Sequence, residues 1–343
     1  MVRVIGWDIG GANVKAARLV FDHGTAESGR AVRRSFEIWR NKAGLRPLLQ
    51  EIQRELGPAD AMALTMTAEL ADVFRDKAEG VAFVIRSARE AVPGTPLYAV
   101  DLDGRLVPLD GGEVNLLALG ATNWIAEALV LADRLPDCLM ADTGSTTTDL
   151  IPILGGKLAA KGRRDIERLA CGELIYTGVL RTPVPAIVSQ IPVGGRFCRI
   201  SAEYFAIAAD VYMTLGRLRP EQYTCSTPDG RGKSKEEALG RLARVACEDT
   251  EGLTASQIEA MAAYIAEKQV QQITEGMFHV LSRIDSWPRL PVVPVGIGGF
   301  LGAACAQRLD LATHDPPALT DCGSPSLSPC SAAAFLLGKA LLG

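Results

Sequence analysis

Long apolar runs are missing from this chain of 343 residues: none approaches the ~20 apolar residues that a membrane-spanning helix needs. Basic blocks are missing too. With 36 Lys and Arg against 40 Asp and Glu, the net charge is −4, which argues against a nucleic-acid or membrane-surface partner. Histidine is scarce, and His23, His279 and His314 lie far apart. None of the cysteines at 138, 171, 198, 225, 247, 305, 322 and 330 forms a C-x-x-C pair, which argues against a zinc ribbon or finger. Most are read as small buried apolar residues, with Cys171, in ACGELIYTG, the one nearest to candidate chemistry. Met1 leads straight into a strand, without the charged and apolar regions of a signal peptide, so a cytoplasmic protein is expected.

What is present is a globular composition, 48% apolar and 22% charged, on a chain long enough for two domains with a core in each. The stretch from Cys138 to Leu154, CLMADTGSTTTDLIPIL, reads as an apolar strand, a turn of Gly and small hydroxyl residues, and a second strand. Such a turn exposes backbone N–H groups as an anion-binding concavity. The hydroxyls of Ser145, Thr146, Thr147 and Thr148 add donors, and Asp142 and Asp149 could hold a hard cation beside a phosphate. An ordinary Ser/Thr-rich hairpin is the plainer alternative. A second copy decides between them: in VIGWDIGGANVKAARL, Asp8 to Asn13 repeats the order of Asp142 to Thr147. Two such units far apart suggest similar halves facing one ligand.

Between and after these hairpins the pattern alternates as in an α/β domain. Helices are expected over 45–56, 76–92 and 114–135, with strands at 27–39, 61–66 and 96–100 and an Asp103-Gly104 turn. In the second half helices are expected over 166–180, 201–218, 234–248, 256–284, 301–309 and 331–342, and strands at 184–189, 191–193 and 291–295. The polar, Gly/Pro-rich stretch from Arg219 to Lys235 is read as an exposed loop that orders over a ligand. The turn Gly296-Ile297-Gly298-Gly299 is a weak dinucleotide fingerprint, because Leu301 stands at its third glycine position and no βαβ unit follows. It serves better as a strand–turn–helix unit that lets a ligand approach backbone N–H groups.

Two Asp-bearing hairpins and one late glycine turn, in this order, resemble the actin, sugar kinase and heat-shock ATPase superfamily over nearly the whole chain. The resemblance implies an α/β fold of two ribonuclease H-like (actin/hexokinase-type) domains around a central cleft. Residues 1–135 would form the first and 136–328 the second, with the helix from 329 to 343 packing back on the first. DIGGANVKAA, TMTAELADVF, ADTGSTTTDLIPI, GELIYTGVLRTPV and PVGIGGFLG together resemble a smaller branch. This is the hydantoinase/oxoprolinase-related group of tetrahydromethanopterin-linked C1-transfer pathway proteins, which includes methanofuran synthase.

That resemblance implies a transferase that joins a phenol oxygen to a furan-methyl diphosphate and releases pyrophosphate. Gly10, Gly11, Asn13, Gly144, Ser145, Thr146 and Thr147 would hold the diphosphate, with Arg181 clamping phosphate or a substrate carboxylate. Asp8 and Asp142 would hold Mg²⁺, and Lys15 would neutralise charge. Glu69 is the candidate base for the phenol proton, its alternative being a carboxylate at a helix start. Thr67, Gly298 and Gly299 would line the old adenosine pocket or the substrate. Small-molecule diphosphate and phenolic amine substrates are expected. Binding of ATP and homo-oligomerisation stay open. Two other function classes stay open as well: an ATP-dependent small-molecule kinase or oxoprolinase-type enzyme, and a phosphate-switched binding protein.

Overall fold

The computed structural model describes residues 1–111 and 114–343. Strands β1 (Val2–Gly10), β2 (Asn13–Asp22) and β3 (Thr25–Ser35) run antiparallel, joined by turns too short for any crossover. Helix α1 (Leu45–Leu56) returns the chain to β4 (Ala61–Thr67), and α2 (Lys77–Ala91) to β5 (Leu97–Val100), both parallel additions. Gly104, at φ +77°, turns β5 into an antiparallel edge strand, β6 (Leu106–Pro108). The sheet order is β3-β2-β1-β4-β5-β6.

After α3 (Asn123–Arg134) the scheme repeats. Strands β7 (Cys138–Thr143), β8 (Thr148–Leu154) and β10 (Leu174–Ile175) pair antiparallel, and β9 (Lys157–Leu158) sits beside β8. The fourth position is filled much later by β13 (Val292–Val295), parallel to β7, giving the order β10-β8-β7-β13. Between them lie α4 (Asp165–Ala170), a separate ribbon of β11 (Gln190–Val193) and β12 (Arg196–Arg199), and helices α5 (Ala208–Thr214), α6 (Lys235–Val245) and α7 (Ala255–Leu281). Helices α8 (Gly299–Arg308) and α9 (Pro329–Leu342) end the chain. Three antiparallel strands followed by a parallel fourth, twice over, is the ribonuclease H-like arrangement expected from the hairpins.

Alternation along the strands decides where the acids go. Ile5, Trp7 and Ile9 face the core under α1 and α2, whereas Val4 faces a central layer shared with α3 and α9. In β7, Leu139 and Ala141 face the α5–α8 side, and Cys138 and Met140 face the same central layer. Asp8 has the parity of Val4, and Asp142 that of Cys138 and Met140, so both acids sit at strand ends on the faces that meet. Helix α9 enters this layer through its small residues: a Cβ on Gly6 would overlap the Cys330 carbonyl and the Ala334 backbone.

Four expected elements differ. The helix over 166–180 stops at Ala170, because Gly172 (φ +74°) turns the chain and Leu174–Ile175 joins the sheet as β10. Glu173 is buried in that turn, where its carboxylate accepts from the N–H groups of Lys161 (2.7 Å) and Gly162 (2.9 Å). The strand at 184–189 is a 3₁₀ turn, with Pro183 and Pro185 lacking ladder donors. The helix over 201–218 is confined to α5, where Asp210 caps the Ile207 N–H at 3.0 Å and Gly216 (φ +67°) ends the run. The helix from 114 begins only at Asn123, after Ala121 adopts φ +54°.

Candidate active site

The two hairpin tips open into one cleft of about 970 Å³, lined by Asp8, Gly10, Gly11, Ala12, Asn13 and Lys15 from the first and Asp142, Gly144, Ser145, Thr146, Thr147 and Asp149 from the second. Each tip is oriented by the chain that follows it. The Gly11 and Ala12 carbonyls accept from Ile38 and Phe36 at 3.0 Å, and the Gly144 and Ser145 carbonyls accept from Val179 and Arg181 at 3.0 and 2.8 Å. The N–H groups of Gly11, Ala12, Ser145 and Thr146 donate to no protein acceptor among the described residues. Donors without a protein acceptor, on residues that line a shared cleft, suit an anion cradle.

The hairpins match in geometry and differ in charge. Asp8 stands opposite Lys15 across β1 and β2, and Asp142 stands opposite Asp149 across β7 and β8. Lys15 Nζ donates to Asp8 Oδ2 at 2.9 Å. Burial alone would lower the lysine's pKa, but the charges of Asp8 and Asp142 outweigh it and hold Lys15 protonated. Asp149, read from the sequence as a possible ligand of a hard cation, is instead paired with a side chain: Arg168 donates to it at 2.5 Å, and both side chains are buried. The Arg168 guanidinium stacks 4.2 Å from the Trp124 ring. Thr148 also turns away, donating to the Thr177 carbonyl at 2.8 Å.

Beneath the tips lies a carboxyl that sequence reasoning missed. Glu127 of α3 is 1% exposed and, like Asp142, lines the cleft. Burial and the Asp142 charge push its pKa well above the usual range, so it is held as the neutral acid. Burial and the neighbouring Asp149 push Asp142 itself up to about 6. Its signal was a single acid inside the apolar run from Trp124 to Ala132.

Asp8 Oδ1 is buried with no partner, so the site has a carboxylate oxygen to offer a hard cation. Among the described residues no three His, Cys, Asp or Glu side chains form a metal-binding group. Two carboxylates, with water and a phosphate ligand completing the shell, is the manner of binding that suits Mg²⁺. Asp8 and Asp142 are the residues that would hold it.

The remaining candidates divide along the cleft. Thr67 ends β4 next to Gly10, and Glu69 follows it, 2% exposed, packed against Gly120 and with Oε2 unpartnered. Burial pushes Glu69 from its ordinary 4.5 up to about 7, and it is not at a helix start, since α2 begins at Lys77 with Asp76 as its cap. Arg181 lines the cleft with its guanidinium 4.8 Å from the Trp39 ring, a contact between the two halves. The late glycine turn is placed differently from expectation. Gly296 and Ile297 line the cleft, whereas Gly298 packs behind Thr143 and Gly299 opens α8. Gly296 is held at φ +81°, where a Cβ would overlap Asp142 Oδ1. Leu70 and Tyr176, 60% and 65% exposed, give the cleft apolar surface beside Glu69 and Leu174.

The profile of the hydantoinase/oxoprolinase family matches residues 60–334. A protein of Methanocaldococcus jannaschii, (4-{4-[2-(gamma-L-glutamylamino)ethyl]phenoxymethyl}furan-2-yl)methanamine synthase, is 36% identical over 285 residues, covering 83% of this chain and 83% of its own. The Methanococcus vannielii protein of the same name is 40% identical over 121 residues, 35% of this chain and 54% of its own. Nucleotide-free acetone carboxylase shares the fold, with a TM-score of 0.56 at 12% identity over 97% of this chain and 70% of that one. No described helix is long and apolar enough to cross a membrane.

Proposed function

Because this chain belongs to the hydantoinase/oxoprolinase family, alongside the two archaeal methanamine synthases, we propose that it builds an aryl ether of a methanofuran-type cofactor. The phenol oxygen of a tyramine- or tyrosine-derived unit displaces diphosphate from a furan-methyl carbon. One carbon–oxygen bond forms, the bond to the leaving diphosphate breaks with its electron pair, and the phenol proton passes to Glu69. Inorganic pyrophosphate leaves. Because the furan ring spreads the positive charge that builds on its methylene carbon, stabilising the leaving group is the larger task.

The observation that carries this reading is the division of labour within one cleft. At the hairpins, backbone N–H groups and protonated Lys15 face the place for the diphosphate. Beyond β4, Glu69 offers a carboxyl with a pKa of about 7 and a free oxygen, which suits proton removal near neutrality. Tyr176 and Leu70 supply apolar surface for the aromatic rings. Mg²⁺ at Asp8 and Asp142 would supply further charge neutralisation on the diphosphate oxygens. Asn13 and Thr147 complete the two tips, and Arg181 closes the cleft from the second domain.

An ATP-dependent reaction is a second reading, favoured by the Gly296–Ile297 turn lining the same cleft. Incubation with a furan-methyl diphosphate, a tyramine or tyrosine acceptor and Mg²⁺ separates the two. Pyrophosphate release that requires the phenol and is indifferent to ATP is the expected result. ADP formation that requires the phenol would replace this reading with the second.

A further inference from the structure

Arg33 is a half-buried cation that forms no salt bridge among the described residues. It lies opposite Lys15 across β2 and β3, which stands opposite Asp8 across β1 and β2, so the three form one row on one face of the sheet. Its side chain lines the cleft, and among the described residues it forms no salt bridge. Its partners are neutral: Nε and Nη2 both donate to Asn13 Oδ1 at 3.3 Å, and Nη2 donates to Thr224 Oγ1 at 3.0 Å. Burial lowers its pKa, with the Asp8 charge opposing, which is the mark of a cation given less compensation than it needs. A half-buried guanidinium held by neutral acceptors keeps donors for an anion that is not protein.

The second neutral partner belongs to the other domain. The segment around Tyr223–Thr227 crosses from the second domain to β3. There Ser35 Oγ donates to the Thr224 carbonyl at 2.9 Å, and Ser226 Oγ donates to Glu37 Oε1 at 3.1 Å. Its root is rigid. Tyr223 donates to buried Asp210 at 3.0 Å, and Arg241, itself fully buried, binds Asp210 at 2.8 Å and Asp229 at 3.1 Å. A strap fixed this firmly at one end, and touching Arg33 at the other, sets where the guanidinium points.

We propose that Arg33 contacts the diphosphate group in the cleft, beside Lys15, and that Thr224 on the inter-domain strap positions it there. The proposal rests on the reading of the cleft as a diphosphate site. It adds a residue outside both hairpin tips and ties leaving-group binding to the inter-domain contact at Thr224. Arg33 is the contacting group; Thr224 is a positioning residue.

Titration calorimetry with inorganic pyrophosphate and Mg²⁺ tests it without needing turnover. Relative to wild type, Arg33→Gln is expected to bind pyrophosphate about 10- to 100-fold more weakly, the weight of a charge-assisted hydrogen bond. Arg33→Lys should recover part of that loss, and Thr224→Val should show a smaller one of roughly 3- to 10-fold. In steady state both should raise KM for the diphosphate substrate and leave KM for the phenol unchanged, which a merely structural role would not do. Equal pyrophosphate affinity in wild type and Arg33→Gln overturns the contact while leaving the diphosphate site standing. Wild-type affinity in Thr224→Val overturns the strap. If wild type itself binds no pyrophosphate, the diphosphate reading fails and this proposal with it.

Discussion

Replacing Glu69 with Gln should make the protein slower and more stable at once. The carboxyl is 2% exposed, has one oxygen without a partner, and is pushed by burial from 4.5 to about 7. Between those two pH values the folded chain keeps a proton that the unfolded chain releases. Stability therefore falls as pH rises across that window, and stays lower above it. At ~1.4 kcal/mol for each pH unit, the gap between 4.5 and about 7 amounts to about 3 kcal/mol. Glutamine has the same shape and cannot ionise, so it escapes this penalty. For a chain of 343 residues the unfolding entropy is ~0.7 kcal/mol/K, and the gain becomes a Tm about 4 °C higher at pH 8. Below pH 4.5 the two proteins should melt within about 1 °C of each other. In the same protein, pyrophosphate release should drop by ~10²- to 10⁴-fold, the range of general acid–base catalysis. The wild-type rise in kcat/KM through pH ~7 should be absent. Melting curves at pH 4.5 and 8, with initial rates from pH 5.5 to 8.5, measure all three. An unchanged rate together with an unchanged Tm at pH 8 would refute both the burial penalty and the role as base.

Two further substitutions probe the second hairpin. Gly296→Ala forces a side chain into a backbone at φ +81° and against Asp142, so a loss of ~1–3 kcal/mol in denaturant unfolding and at least a tenfold loss of activity are expected. Arg168→Met strands Asp149 as an unpaired buried charge and should cost about 3–5 kcal/mol, most of it recovered in the Arg168→Met, Asp149→Asn double variant.

Features fixed by neighbouring residues were legible in the sequence, and those fixed by distant ones were not. The hairpin from Asp8 to Lys15 and its repeat at Asp142 are local strand–turn–strand units, and their order along the chain carried the two-domain fold. The break at Gly172 was not legible, because burial of Glu173 depends on the N–H groups of Lys161 and Gly162 and on an ion pair with Arg283. Glu127 left a faint trace, one acid in an apolar helical run. Arg33 left none, since only the register of β3 against β2 and a strap nearly two hundred residues later bring it to the cleft. The glycine turn was found, but the member facing the ligand, Gly296, could be told from Gly298 only by its contact with Asp142.

The most direct measurement follows the oxygen that links carbon to phosphorus in the furan-methyl diphosphate. With that bridging atom labelled as ¹⁸O, attack on the methylene carbon sends all of the label into pyrophosphate and leaves an unlabelled ether from the phenol. That is the outcome expected if the paired hairpins hold a leaving diphosphate. Label retained on the furan would mean that a phosphorus–oxygen bond breaks instead, and the hairpins would then serve phosphoryl transfer rather than ether synthesis.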